Sequence, residues 1–319
     1  MNAPLKVVMI NDCAHVGETL VKYFSSEIEV LHLKRSREFW DKTFGIAWKI
    51  LKADADVFHV HYLLQDCWLA LRFGKRPIVG HAHGSDLREV VRSKKWGWMV
   101  KRNLESCDKV LVAQPTILDV AREFNDTAEY FPIPYDPKLF YYAPFVTGRE
   151  VKRVFMASPQ DFRVKGSDKL LRALSLVKIP FKVVAIRYGR DAKRIEKLAG
   201  DLGLDVKFID KVPHDGMNQL YWGSDIVLGS FGVGQLDTVA IEAMACGRPV
   251  VHHILKDFFP RCPLPEVASI KEVSEEISKL LICEEYLKRR IESQMNYVQA
   301  VHSALILAQK LFEIYAKLM

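Results

Sequence analysis

The sequence is poor in the features that hold a chain together without a core. Cysteine is sparse: six in 319 residues, at Cys13, Cys67, Cys107, Cys246, Cys262 and Cys283. None stands in a C-x-x-C pair or at zinc-ligand spacing, which excludes a disulfide miniprotein and a zinc-finger-type domain. Free, partly buried thiols in a reducing cytoplasm are the simplest expectation. Glycine (17) and proline (14) are too few for a low-complexity or collagen-like chain. No uninterrupted apolar stretch reaches about 18 residues, so no membrane-spanning helix is expected. Met1–Pro4 leads straight into an apolar strand, unlike a signal peptide. The dinucleotide fingerprint G-x-G-x-x-G is also missing. Asn11-Asp12-Cys13-Ala14-His15-Val16-Gly17, after the first apolar run, has one glycine, which argues against a dehydrogenase.

What is present suits a large globular core. Hydrophobic residues make up 49% and charged residues 27%, near the soluble average, and the length predicts two domains. The formal net charge is +7, and it is local: residues 31–102 carry 15 Lys/Arg against 7 Asp/Glu, more than the whole excess. Such a segment points to an anionic partner: phosphate, lipid headgroup or nucleic acid.

Short apolar runs alternate with amphipathic ones, the pattern of α/β folds with parallel sheets. In the first half, strands are expected at Leu5–Ile10, Glu29–Leu33, Val57–Tyr62, Pro77–His81 and Lys109–Ala113. Helices are expected at Glu18–Phe24, Arg37–Leu51, Arg88–Glu105 and Ile117–Phe124. Ile133-Pro134-Tyr135-Asp136-Pro137 breaks the pattern, and Tyr141–Glu150 reads as a linker. A second series follows, with strands at Val151–Ala157, Phe181–Ile186, Val206–Ile209, Asp225–Leu228 and Pro249–His253. Its helices are expected near Lys169–Leu176, Asp191–Leu202, Asp215–Tyr221 and Val239–Cys246. The tail from Val273 is nearly all helical and ends in one long amphipathic helix, Ala300–Leu318. Two such halves predict a crevice between them at the carboxyl ends of the strands, where ligands bind in doubly wound sheets.

The most informative segment runs from Phe231 through Gly234, Gln235, Asp237, Thr238, Val239 and Glu242 to Gly247-Arg248-Pro249. It follows a strand and opens a helix whose first N–H groups would face a phosphate. Asp237 or Thr238 would cap that helix, and Glu242, about one turn in, would reach neighbouring hydroxyls. An ordinary capped strand–loop–helix unit has the same pattern. Phe162-Arg163-Val164-Lys165-Gly166 places a cation before a helix start, where the dipole disfavours it unless an anion binds there. In the first half, His59 and His61 end one strand, and His81-Ala82-His83-Gly84-Ser85-Asp86 ends the next. Histidines at i,i+2 share a face of their strand. A metal site, plain packing and a polar site containing His83 all remain open from this pattern; no residue is assigned as a metal ligand. Asp54-Ala55-Asp56 reads as a turn rather than a metal motif.

Glu242-Ala-Met-Ala-Cys-Gly-Arg-Pro-Val-Val resembles the signature of glycosyltransferase family 4, retaining enzymes of the GT-B fold. The family pattern is Glu-x7-Glu. Glu242 matches the second glutamate, which in the family holds the ribose of a sugar nucleotide. The first is Gly234 here, and the family glycine three residues later is Asp237. The resemblance implies that Lys165, with Arg163, holds the donor diphosphate and that the loop Gly234, Gln235, Asp237, Thr238 and Val239 binds donor. Val212-Pro213-His214-Asp215 is similar to the element framing the nucleotide base, with His214 at a helix start. His83-Gly84 is similar to the His-Gly element facing the reacting sugar. His15, Gly17, His61 and Asp86 then fall on the acceptor side.

The expectation is thus a metal-independent, retaining hexosyltransferase of GT-B fold, with two Rossmann-like doubly wound parallel-sheet domains facing a central cleft. Residues 1–145 bind acceptor and 146–299 bind the nucleotide-sugar, with helix 300–319 crossing back to the first domain. The nucleotide-sugar is a substrate, so no cofactor is expected. The basic segment interleaves aromatics, Arg35-Ser36-Arg37-Glu38-Phe39-Trp40, Trp48-Lys49 and Lys94-Lys95-Trp96-Gly97-Trp98, which suits an anionic membrane surface or a lipid-linked acceptor. A solvated basic face with its tryptophans in the core has the same composition. No nucleic-acid motif accompanies it. The expected location is cytoplasmic, with peripheral contact at the inner membrane face. A degenerate binding homologue, a nucleotide-sugar epimerase and a peripheral membrane scaffold are the alternatives.

Overall fold

The computed structural model describes residues 3–35, 44–145 and 149–319. The chain forms two compact units, one made of residues up to Pro134 together with Ala304–Met319, the other of Tyr135–Ser303.

The first unit is built on six parallel strands: β1 (Leu5–Ile10), β2 (Ile28–Leu33), β3 (Val57–His61), β4 (Ile78–Ala82), β5 (Lys109–Val112) and β6 (Glu129–Tyr130). Their order is β2-β1-β3-β4-β5-β6. Every residue of β3 and β4 is buried, as expected of central strands covered on both faces. Helices over one face enclose Val8, Ile10, Phe58, Val60, Ile78 and Val110. On the other face the C-terminal helix Ala304–Ala316 packs Leu307, Leu311, Ile314 and Tyr315 against Val7, Val57, Val79, Leu111 and Phe131. The last helix therefore belongs to the first unit.

The second unit has five parallel strands: β7 (Lys152–Met156), β8 (Phe181–Ile186), β9 (Val206–Ile209), β10 (Ile226–Leu228) and β11 (Val250–Val251), in the order β11-β10-β7-β8-β9. Its core gathers Val154, Met156, Val183, Ala185, Ile226 and Leu228 under Leu170, Leu174, Ile195 and Ile277 from its helices.

In both sheets the strand order reverses beside the first strand: between β1 and β3 in one, and between β7 and β10 in the other. Chains leaving strands on either side of such a point diverge, and the gap at their carboxyl ends receives ligands. The segments that leave these strands are Asn11–Gly17 and the stretch after His61 in the first unit, and Ala157–Lys165 and Gly229–Asp237 in the second.

Two long helices of the sequence reading are broken. Arg88–Glu105 is three pieces, Ser85–Arg88, a 3-10 turn at Val90–Arg92, and Gly97–Ser106. Ser93 takes an extended backbone, and Gly97 fits against the Val91 carbonyl, where a Cβ would lie 2.5 Å away. Ala300–Leu318 is interrupted at Ser303, which is extended (φ −63°, ψ 126°) and bridges to Tyr135. The expected helix Arg37–Leu51 is seen as Ile46–Lys52; Arg37, Phe39 and Trp40 lie outside the described residues. A helix at Gln65–Arg72 and the short strand β6 were not expected. Asp54–Asp56 is non-helical chain leading into β3, and Asp56 accepts the Lys6 N–H.

Candidate active site

In the second unit the loops leaving β7 and β10 are joined through their backbones. Phe231 N–H donates to the Lys165 carbonyl at 2.6 Å. Gly232 lies so close to Val164 that a Cβ would sit 1.9 Å from its carbonyl oxygen, and Gly166 (φ +62°) faces the Phe231 carbonyl in the same way at 2.3 Å. Only glycine permits either approach.

This junction brings Lys165 to Asp237. The ammonium nitrogen is 2.6 Å from Asp237 Oδ2, and Ser158 Oγ is 3.4 Å from the same oxygen. Asp237 also caps the helix Thr238–Ala245, its Oδ1 accepting the Ala240 N–H at 3.1 Å. Burial acts to raise the Asp237 pKa, but Lys165 above all, with His252 and the Ala240 N–H, outweighs it and holds the carboxyl at about 2. The N–H groups of Thr238 and Val239, in the first turn, have no intrahelical acceptor. A cation, a hydroxyl and a backbone donor thus meet at the Asp237 carboxylate, at the start of a helix.

His252 lies 3.9 Å from Asp237 Oδ1 but is not its ion-pair partner. Its Nδ1 accepts the Ser230 N–H at 2.9 Å and its Nε2–H donates to the Gln235 carbonyl at 2.8 Å, which fixes a neutral ring. Burial lowers its pKa in the same sense. Gly234 has φ +68°, and a Cβ there would come 2.6 Å from Leu255 Cγ, so a glutamate does not fit this loop as it stands. Arg163 is exposed, with no hydrogen bond or ion pair among the described residues. Gln160 is buried and spends its amide on the Ser158 and Ile186 carbonyls.

Glu242, 3% exposed, is held from two sides. His214 Nε2 is 2.5 Å from Oε1, and Tyr221 OH donates to Oε2 at 3.0 Å. Burial, and then the Glu242 charge, push the Tyr221 pKa well up, so its proton stays in place. His214 does open a 3-10 turn as expected, but its ring turns in to the carboxylate. Neither the Tyr221 contact nor the role of His252 was foreseen; the only signal is their position at the ends of the elements that flank the loop.

In the first unit, Asp12 turns the loop after β1: Oδ1 accepts the Gly17 N–H at 2.9 Å and Oδ2 the Glu18 N–H at 3.1 Å. Gly17 is buried, while His15 is exposed and pairs with Glu18 at 2.6 Å. Asp86 is fully buried and accepts the N–H groups of His83, Gly84 and Leu87. It shapes the loop bearing His83. Burial raises its pKa against those hydrogen bonds. His61 Nδ1 and His83 Nε2 share a hydrogen bond of 2.9 Å. A cavity of about 260 Å³ opens beside His61, lined also by Asn11, Arg35, Tyr62, Gln65 and Asp66. A cavity of about 850 Å³, lined by Tyr142, Phe145, Leu281 and Met295, lies at the opposite, amino ends of β7 and β10 near Lys152 and Asp225.

Residues 18–139 match the family described as Glycosyltransferase Family 4, and residues 144–296 match the family described as Glycosyl transferases group 1. The chain is a glycosyltransferase. This glycosyltransferase is similar in fold to sucrose-phosphate synthase from Thermosynechococcus elongatus, at 17% identity and TM-score 0.77 over 98% of this chain and 99% of that one. Anabaena HepE, solved in complex with UDP and glucose, is similar at 14% identity and TM-score 0.75 over 98% and 100%. A UDP-forming trehalose-phosphate synthase from Burkholderia xenovorans gives 12% and 0.73 over 99% of both chains. At these identities the likeness shows the GT-B fold. Among curated proteins no match was found. No helix among the described residues of the glycosyltransferase is long and apolar enough to cross a membrane.

Proposed function

We propose that the second unit binds a nucleotide-sugar donor and that the enzyme transfers its sugar with retention to an acceptor bound by the first unit. One observation carries this reading: Lys165, Ser158 Oγ and the Ala240 N–H converge on Asp237, the cap of a helix start at the strand-order reversal of the second sheet. A diphosphate arriving there competes with the Asp237 carboxylate for the lysine. That HepE was solved with UDP-glucose supports a sugar nucleotide as the ligand class.

In this reading Lys165, with Arg163 from its exposed position, neutralises the charge that develops on the diphosphate. Glu242, oriented by His214 and Tyr221, accepts hydrogen bonds from the ribose. His83 contacts the reacting sugar. The bond from the anomeric carbon to phosphate breaks, the bond to the acceptor oxygen forms on the same face, and the leaving phosphate takes the acceptor proton. No dedicated base is required. Asp237, where the family has glycine, supplies a carboxylate to the sugar hydroxyls.

The acceptor is proposed to be lipid-linked and the enzyme peripheral to an anionic membrane on its cytoplasmic side. Phe44, Trp48 and Trp98 are exposed at the surface of the basic first unit, with Lys52 4.9 Å from the Trp48 ring centre. Exposed tryptophans beside lysines suit a headgroup layer. A second reading, a nucleotide-sugar-binding protein without turnover, is favoured by one observation, the tight Gly234 turn that leaves no room for the family's first glutamate. A thermal-shift screen of nucleoside diphosphates and their sugars, followed by a transfer assay on the best binder, tests both. Stabilisation by a sugar nucleotide that needs Lys165 supports donor binding, and sugar release or transfer then separates enzyme from binder.

A further inference from the structure

We propose that His59, His61 and His81 form a binding site for one imidazole-preferring divalent cation of the zinc class, independent of the transfer reaction. One ligand nitrogen from each histidine lies within 4.8 Å of the others, and among the described residues this is the one such group. The sheet makes the cluster: β3 and β4 pair in parallel with His61 beside His81, and His59 lies two residues back on the same face.

Three observations point to an ion rather than to packing alone. His59 Nε2 and His81 Nδ1 are 3.2 Å apart. Two imidazole nitrogens on one tetrahedral zinc, each bound at about 2.0–2.1 Å, stand roughly 3.3 Å from each other. His61 Nε2 is buried without any hydrogen-bond partner, on a ring that is 0% exposed. Such orphans are costly, at about 1–3 kcal/mol each, and are uncommon in a satisfied core. Third, an outer shell is in place. Tyr315 OH holds His59 Nδ1 at 2.6 Å, so that ring is oriented through its other nitrogen, as metal-bound histidines are. Gly17 keeps the space beside His61 Nε2 open, since a Cβ there would come within 2.9 Å of that nitrogen and of Met9 Sδ.

The electrostatics agree. Burial first, then the neighbouring histidines, hold His59 and His81 well below the usual imidazole range, and burial brings His61 to about 4. All three rings are neutral at pH 7, the form that ligates metal. His59 and His61 stack at 4.7 Å with planes 24° apart. Lone pairs lie in the ring planes, so His61 must rotate about its side-chain torsions to complete the site.

The test uses tag-free, chelator-treated full-length protein dialysed against Zn²⁺ or Co²⁺. One metal per chain by elemental analysis, the visible bands of tetrahedral Co²⁺, and a Tm several degrees higher with Zn²⁺ are expected. His59→Gln and His81→Asn lose the stoichiometry, and His15→Ala, at the exposed histidine, keeps it. Should those variants fail to fold, histidine ¹⁵N spectra of the wild type decide: Zn²⁺ moves the ring nitrogens of all three residues. No bound metal, octahedral Co²⁺ bands, binding unchanged in both variants, or unshifted ring nitrogens overturns the proposal.

Discussion

The Lys165 ammonium and the Asp237 carboxylate, 72 positions apart in the chain, meet at 2.6 Å where the second sheet reverses its strand order. The pair is mostly shielded, with side chains 21% and 16% exposed, so its charges are felt strongly while water still reaches them. Replacing Lys165 by alanine is expected to weaken binding of a nucleoside diphosphate by about 10- to 100-fold, the scale of a charge-assisted hydrogen bond lost to a phosphate. Titration calorimetry measures it; an unchanged Kd removes the lysine from the donor site.

Asp237 also gives a pH signature. Its carboxyl is held at about 2, below the ordinary 3.8, so the folded state favours the ionised form. That stabilisation is present above the unfolded pKa near 4 and is lost as pH falls through about 2. Asp237→Asn keeps a helix-capping side chain but removes the charge. Urea melts of wild type and variant should therefore converge by about 2 kcal/mol between pH 5 and pH 2. Asp237→Ala should in addition change donor affinity or turnover; if neither moves, the carboxylate plays no part with the sugar.

Tyr221→Phe removes the hydroxyl that serves Glu242 Oε2 and leaves a buried carboxylate less satisfied. A loss of about 1–3 kcal/mol in chemical denaturation is expected. Nucleotide affinity should fall with it, because the carboxylate loses a group that orients it.

Gly232→Ala forces a methyl group to within 1.9 Å of the Val164 carbonyl unless the two loops part. Overpacking of this kind costs about 1–3 kcal/mol. The informative readout is a larger proportional loss of nucleotide binding than of Tm, since separating the loops moves Lys165 from Asp237.

The buried histidines predict a second, milder acid response in metal-free protein. His61 titrates at about 4 when folded and near 6.5 when unfolded, so its contribution is full above pH 6.5 and drains away as pH falls toward 4. Each such histidine adds a slope of about 1.4 kcal/mol per pH unit in that window. Stability measured at pH 7 and pH 5 should differ less in His61→Asn than in the wild type.

What could be read in advance was what is local. The run from Asp237 to Pro249 carries its cap, helix and stop within a few residues, so its geometry followed from chain order. Lys165 could be named but not its partner, because only the sheet order brings two distant loops together. The His214 contact with Glu242 was hidden for the same reason, across 28 residues. Alternation placed His59 and His61 on one face, but their neighbour His81 comes from the β3–β4 register. The break at Ser303 was missed because serine interrupts a helix only when something outside it, here Tyr135, takes up the extended backbone.

The C-terminal helix covers one face of the first sheet, and Tyr315 closes on His59 there. During synthesis that face stays uncovered until the helix Ala304–Ala316 has left the ribosome. The first unit is thus completed only after the second has been made, and any product truncated before Ala304 displays a bare apolar sheet to chaperones and proteases.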